Sequence, residues 1–420
     1  MQKKIILTLI VFLLWSCNND DLNGPTKEIA IDQKVFYRDL RIGAFVNGLV
    51  VEEKAINTVL KKIMKNGSND LEIPGMVDTK KTYSKGNWVY EFTQLAKENE
   101  NLANKLILEN ADKMKISQAY ALSSAYYTIA GFPYVRNVRF KSSSFQIQES
   151  IDKARINFQK AIETETGLRT AYEFIGPAGE KINATLLLPL NSKGQCPVII
   201  STMGSDQIQS MFYGIYQKYL KNSQFALLTF DLPGYQPGEF LEPQKTNKYH
   251  DIVIDKIIQT NGLNGLINKN AIGVWSKSFG GNAATLALYS RGSKIKAACI
   301  ECGAVITPFY GDPTTYPKMT AEGVQERFAK NSLSDLHKIL KNISLKSTFQ
   351  PNSLSMPLLI IGNPLDYINP EKDMVIQQAS STKGQLIKVD NPPSETSGHC
   401  PPQDLSFPEV LKFFSKHLKP

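Results

Sequence analysis

The chain has 420 residues, 42% of them hydrophobic and 21% charged, with a net charge of +9. That length and apolar content suit one large core plus an accessory region. The lysines and arginines are dispersed, with no long basic run, so the charge reads as solvated surface and no nucleic-acid partner is expected.

The first elements in chain order are targeting features. Lys3 and Lys4 precede an apolar run, Ile5 to Trp15, and then Ser16-Cys17. The run is too short to span a bilayer and suits a signal-peptide core. Leu14-Trp15-Ser16-Cys17 resembles a bacterial lipoprotein signal, with Cys17 as the residue that is lipidated after cleavage. Residues 1–17 therefore read as the signal and 18–27 as a polar tether. The mature chain is expected to be exported and held by its lipid anchor on a bacterial membrane, at the outer membrane or the periplasmic face.

Residues 28–166 read as a helical cap domain. Val50 to Lys65, Trp88 to Leu108, Ile116 to Ala130 and Ile147 to Ile162 repeat apolar residues at three-to-four spacing. Gly131-Phe132-Pro133 ends the third of these, because proline cannot continue a helix. The period changes near Gly167. Leu168 to Ile175 and Ile182 to Leu188 flank a Gly176-Pro177-Ala178-Gly179 turn and predict an antiparallel hairpin. Pro197 to Thr202 then predicts a buried strand, Ile208 to Leu220 a helix, Phe225 to Phe230 a strand and His250 to Gln259 a helix.

Ala271 to Trp275, the sharp break at Ser276 to Gly281, and a helix over Asn282 to Tyr289 follow. Lys294 to Glu301 is the next strand. Residues 304–355 lose the alternation and predict an inserted lid, with helices at Ala321 to Ala329 and Leu333 to Leu340. Pro357 to Gly362, Glu371 to Ala379, Leu386 to Val389 and Phe407 to His417 complete an alternating series. The class is α/β, with a mostly parallel sheet covered on both faces over 167–420.

The break in Gly273-Val274-Trp275-Ser276-Lys277-Ser278-Phe279-Gly280-Gly281 is strand, tight turn and helix around a central serine. This is the context of a nucleophile elbow, with Ser276 standing where glycine is usual. The order Ser278, Asp366, His399 is that of the hydrolases that use such an elbow. Serine needs a neutral imidazole to take its proton, and an aspartate to hold that imidazole. Of the four histidines, His250, His337 and His417 lie on helical segments, while His399 lies in a glycine-containing loop beyond a strand. Asp373 and Glu301 compete with Asp366. Glu301 ends the strand after the elbow, where it serves as an alternative acid, as a substrate-binding group or as a plain surface carboxylate.

The N–H of Phe279 and that of Gly204 or Ser205 are the candidate oxyanion donors. Asp206 is expected to cap the helix that follows it. No HxxxH, HExxH or glycine-rich phosphate loop occurs, so neither a metal nor another cofactor is expected. Besides Cys17, the cysteines are Cys196, Cys299, Cys302 and Cys400. Cys299 and Cys302 read as buried small hydrophobes on a strand; a disulfide is open, with no pairing to read.

With these residues in place, the chain resembles the FrsA-like esterases of the α/β-hydrolase superfamily from about Ser117 onward. The resemblance rests on Ala130-Gly131-Phe132-Pro133-Tyr134, Met203-Gly204-Ser205-Asp206, Phe230-Asp231-Leu232-Pro233-Gly234, Ser278-Phe279-Gly280-Gly281-Asn282 and Gly303-Ala304-Val305. It implies an α/β-hydrolase fold with an N-terminal helical domain packed over the catalytic domain, as in the related yellowish-green pigment and pseudooxynicotine hydrolases. It also implies hydrolysis of a carboxylic ester, or in some relatives of a carbon–carbon bond beside a ketone. Some FrsA proteins carry arginine where Ser278 stands here. The expected substrate is a small-molecule or glycan ester. A non-catalytic surface lipoprotein is the competing reading, and nothing in the sequence sets an oligomeric state.

Overall fold

Eight strands form one sheet in the order β1-β2-β4-β3-β5-β6-β7-β8. They are β1 (Ala171–Ile175), β2 (Lys181–Leu187), β3 (Cys196–Ser201), β4 (Ala226–Phe230), β5 (Ile267–Lys277), β6 (Ala297–Glu301), β7 (Leu358–Gly362) and β8 (Gly384–Lys388). β1 and β2 form the expected hairpin and β2 meets β4 antiparallel; every other pairing is parallel. The computed structural model describes residues 48–65, 83–132, 144–190, 192, 194–234, 240–311, 318–330, 332–366, 368–390 and 399–419. The signal, Cys17, the tether and Pro133-Tyr134 lie outside them.

β3, β4, β6 and β7 are buried along their whole length, as continuous apolar runs in a sheet with both faces covered must be. Successive side chains go to opposite faces. Ile199, Leu227, Trp275, Cys299 and Ile361 join one apolar cluster, whereas Val198, Ile200, Leu228, Val274, Ile300 and Ile360 join the other.

The named helices are α1 (Glu53–Lys65), α2 (Trp88–Leu108), α3 (Lys113–Gly131), α4 (Ser144–Thr166), α5 (Lys248–Gln259), α6 (Ser278–Arg291), α7 (Lys318–Arg327), α8 (Leu333–Leu340), α9 (Glu371–Gln378) and α10 (Gln403–His417). Side-chain caps start α2 and α3. Asn87 accepts from Tyr90 N at 3.0 Å, and Asp112 from Met114 N at 2.9 Å. The Trp88 indole donates to Ile129 O at 2.8 Å, locking α2 against α3.

These N-terminal helices do not close on themselves. Phe92, Ala125, Tyr127 and Phe158 sit in the same cluster as Trp275, Phe407 and Phe414, so helices and sheet share one core. Polar ties cross the same boundary: Thr128 Oγ1 lies 2.6 Å from Ser210 Oγ, and Gln159 Nε2 donates to Thr185 Oγ1 at 3.0 Å.

One local expectation changes. The segment from Ile208 to Leu220 is not one α-helix. It runs as a 3-10 turn (Gln209–Phe212), a single α turn (Tyr213–Ile215) and a π-helical turn (Tyr216–Leu220). Its start is pinned by Gln209 N donating to Asp231 Oδ1 at 2.7 Å. Asp231 therefore provides the acceptor at this start, and no side-chain bond caps the turn from Ile208. The insertion between β6 and β7 carries the two helices expected in it, the first set three residues earlier than expected at its start. It holds α7, α8 and further short turns, and Val324, Phe328, Leu336, Leu340 and Ile343 pack into the second cluster.

One core spanning helices and sheet predicts one cooperative unfolding event. Thermal unfolding followed by far-UV circular dichroism and by tryptophan fluorescence, which reports Trp88 and Trp275, will give coincident midpoints. Two resolved transitions would contradict the shared core.

Candidate active site

The site is built at the carboxyl end of β5. Ser278 follows Lys277 with φ 51°, a left-handed conformation that a β-carbon resists. Neighbouring backbones crowd in and hold it there. A β-carbon on Gly280 would stand 2.7 Å from Thr202 O, so only glycine fits two residues after the serine. Ser276, in place of the usual glycine, is fully buried. Its hydroxyl accepts from Thr202 N at 3.1 Å and lies 3.1 Å from Thr202 Oγ1, which ties β5 to the end of β3.

Ser278 Oγ lies 2.8 Å from His399 Nε2, and His399 Nδ1 lies 3.0 and 2.9 Å from the two oxygens of Asp366. With the imidazole neutral and its proton on Nδ1, the serine O–H donates to Nε2 and Nδ1–H donates to the carboxylate. Asp366 is buried and accepts from the N–H groups of Ile368 and Asn369 at 2.8 and 2.9 Å, which fixes its orientation. The structure thus brings Ser278, His399 and Asp366 together from the ends of three strands.

The competing carboxylates are held elsewhere. Asp373 accepts from Ile306 N, Thr307 N and Thr307 Oγ1 at 3.2, 2.6 and 3.0 Å. Glu301 is fully buried beneath the sheet end. It takes the Trp275 indole N–H at 3.2 Å, the Ser406 hydroxyl at 2.8 Å and the Lys277 ammonium at 3.0 Å. These partners occupy Glu301 away from His399 and make it an internal counter-ion to Lys277, which corrects the readings of it as the acid or as a surface carboxylate.

The oxyanion candidates also meet. A β-carbon on Gly204 would lie 3.4 Å from Ser278 Oγ, so its main chain faces the nucleophile directly. Phe279 lies in the first turn of α6, whose N–H groups have no intrahelical acceptor. The Ser205 carbonyl is turned the other way, onto Arg327.

Arg327 carries no signal in the sequence beyond its place in a helix. Its buried guanidinium donates to Ser205 O at 3.1 and 3.0 Å, and to Leu232 O and Pro233 O at 3.2 and 3.3 Å. It also stacks 5.9 Å from the centre of the Phe279 ring. One side chain of the insertion therefore grips the loops after β3 and β4 and the residue after the nucleophile.

Behind the elbow, His250 Nε2 lies 3.3 Å from Thr202 Oγ1. Burial lowers its pKa to about 3, so the ring is neutral at ordinary pH. His417 is also lowered, by burial and by Lys416 and Lys383. Among the described residues, the grouping with metal-type spacing is Cys302, His399 and Cys400, and its two sulfurs are joined in a disulfide. Cys302 is thereby more than the small buried hydrophobe expected of it, while Cys299 keeps that reading and, like Cys196, is free and buried. A separate shallow cleft lies between α4 and β2, lined by Arg155, Glu180, Lys181, Asp231, Leu232 and Pro233. It contains none of the three converging side chains, so the chemistry points to Ser278 rather than to this cleft.

Two outcomes follow from these contacts. Glu301→Ala strands a buried Lys277 and will cost about 3–5 kcal/mol in denaturant unfolding, while the folded fraction keeps its activity. Activity lost without a change in stability would restore Glu301 as the acid. For His250, the unfolded chain binds a proton below its ordinary pKa of 6.5 that the folded chain refuses down to about 3. Stability is therefore complete above pH 6.5 and falls on acidification by up to about 1.4 kcal/mol per pH unit. His250→Gln will flatten that slope between pH 6.5 and 4; an unchanged slope would assign the acid sensitivity elsewhere.

Residues 22–399 match the family model for FrsA-like esterases, a match that begins well before Ser117 and so takes in the helical region. Esterase FrsA of Vibrio vulnificus (strain YJ016) is 27% identical over 323 residues, covering 74% of this chain and 73% of that one. Esterase FrsA of Salmonella newport (strain SL254) is 24% identical over 321 residues, covering 75% and 74%. Among solved structures, a 2,6-dihydroxy-pseudo-oxynicotine hydrolase superposes with a TM-score of 0.68 at 16% identity, covering 89% of this chain and 95% of that one. AbyA5 superposes at 0.61 and 13% identity, covering 90% and 95%. These two share the α/β-hydrolase fold with this chain, and the family match makes it a member of the FrsA-like esterases.

Proposed function

We propose that the chain is a serine hydrolase that cleaves a carboxylic ester through an acyl-enzyme. The observation that carries this reading is the unbroken line from Ser278 Oγ through His399 to the buried Asp366, at 2.8 and 2.9 Å. Ser278 attacks the ester carbonyl while His399 Nε2 takes its proton. Asp366 holds the imidazole tautomer and stabilises the cation that forms. The N–H of Phe279, with that of Gly204 or Ser205, receives the charge developing on the carbonyl oxygen. His399 then returns the proton to the leaving alcohol, and water repeats the sequence to release the acid. The insertion, through Arg327 and Phe328 packed against Phe279 of the elbow, shapes the approach, which suits a small-molecule or glycan ester.

The same proposal places the mature chain outside the cytoplasm, tethered through a lipid on Cys17. The family match starts at residue 22, after the leader, and a disulfide suits an oxidising compartment. Among the described residues, no helix is long and apolar enough to cross a membrane.

Labelling with a fluorophosphonate probe and a panel of p-nitrophenyl esters tests the chemistry. The wild type will label, and Ser278→Ala will lose the label and at least about 10⁴-fold in kcat. Full activity in the variant would refute the nucleophile, and a wild type that neither labels nor hydrolyses would favour a binding protein. For the tether, cells fed an alkyne-bearing palmitate analogue will incorporate it into the wild type and not into Cys17→Ala; equal incorporation would refute the anchor.

A further inference from the structure

Cys302 and Cys400 are joined by a disulfide that links chain positions 98 residues apart, with their Cα atoms 5.3 Å from each other. One end adjoins the candidate base, since Cys400 follows His399 directly. The bridge also lies beside the ring: the ligand-type atoms of Cys302, His399 and Cys400 all fall within 4.8 Å of one another.

The other end stands on the sheet. Cys302 follows Glu301, the last residue of β6, and is fully buried in a left-handed conformation with φ 44°. Its N–H donates to Ile361 O of β7 at 2.7 Å. Two residues on, Ala304 N donates to Ser278 O at 3.3 Å. Gly303, between them, packs so tightly on the elbow helix that a β-carbon on Gly281 would lie 2.8 Å from its Cα. Residues 302–304 are therefore part of the seat on which the nucleophile rests. The covalent route from His399 to Ser278 runs through Cys400, Cys302 and that seat.

We infer that this disulfide is a positioning device for the proposed triad: it holds the backbone of His399 in register with Ser278 and Asp366. The inference rests on the reading of these three residues as the catalytic machinery. A general base works only within hydrogen-bond reach of the proton it takes. The bonds to Ser278 and Asp366 orient the ring, but both act at the tip of a side chain. The bridge acts on the backbone beside it. Cys196 and Cys299 are buried and free and offer no substitute pairing. Cys400 is partly exposed, so a reductant reaches the bridge from its side.

The test compares the oxidised enzyme, the same enzyme treated with a water-soluble phosphine, and the Cys302→Ser/Cys400→Ser double variant. The phosphine breaks the S–S bond, leaves two thiols, and becomes phosphine oxide with oxygen taken from water. With p-nitrophenyl butyrate as substrate, kcat is expected to fall on the order of 10- to 100-fold in both altered forms, the range that a displacement of about 1 Å produces. KM should stay within about twofold, and circular dichroism at the assay temperature should show both forms folded. Reoxidation will restore kcat to the treated wild type, while the double variant will not respond to phosphine.

Folded, reduced enzyme with unchanged kcat would overturn the inference and leave the bridge a general stabiliser. If the double variant does not fold, the reversible loss and recovery of kcat in the wild type decides the matter. Oxidised wild type that shows neither hydrolysis nor fluorophosphonate labelling would instead sink the triad reading, and the inference with it.

Discussion

The left-handed backbone at Ser278 is the constraint around which this molecule is arranged. A serine with φ 51° costs on the order of 1–3 kcal/mol and persists only where its surroundings over-determine it. Each neighbouring loop contributes to that. Lys277 N donates to Thr202 O at 3.3 Å, and Ala304 N donates to the carbonyl of Ser278 itself at 3.3 Å. Behind them, the hydroxyl of Ser276 joins Thr202 and, through it, neutral His250. The loops after β3, β5 and β6 converge on the same few ångströms. The close approaches at Gly204 and Gly280 are the geometric record of that convergence.

The insertion between β6 and β7 belongs to this arrangement rather than decorating it. Burying a guanidinium is costly unless its donors are met. Arg327 meets them largely with main-chain carbonyls, at Ser205, Leu232 and Pro233. Those carbonyls are in turn fixed in direction, and fixing a peptide's C=O fixes the N–H on its far side. The ion pair of Lys277 and Glu301 follows a related logic beneath the elbow, where two buried charges satisfy each other together with Trp275 and Ser406. Asn282 adds a direct tie by donating to Ile343 O at 2.9 Å.

Much of this could be read from the residues because it depends on local periodicity or on chain order. The boundaries of Trp88–Leu108 and Leu333–Leu340 follow from apolar spacing alone. The elbow announces itself because strand, small residue, serine and glycine must stand at fixed offsets. The meeting of Ser278, Asp366 and His399 was legible from the order of loops beyond strands. What escaped depends on contacts between distant segments. Asp231 reaches back to Gln209 from another strand. The pairing of Cys302 with Cys400, the grip of Arg327 and the burial of Glu301 likewise have no period or spacing to betray them. The broken winding of 209–220 is similar: helix-forming residues are there, and tertiary pinning at Gln209 and Ser210 overrides them.

The shared core has a consequence for how the chain comes to be folded. Trp275 packs 5.7 Å from Phe212 and 4.8 Å from Phe407, and Phe407, Val410, Phe414 and Leu418 complete the cluster that the N-terminal helices line. The first helices and the last one thus close the same interior, at opposite ends of the chain. Without α10 docked, the chain has every strand of its sheet and an unfinished inner face. Its native topology is dominated by long-range pairings, which form slowly. The inner face therefore closes only when α10 docks, and the chain stays open until it does.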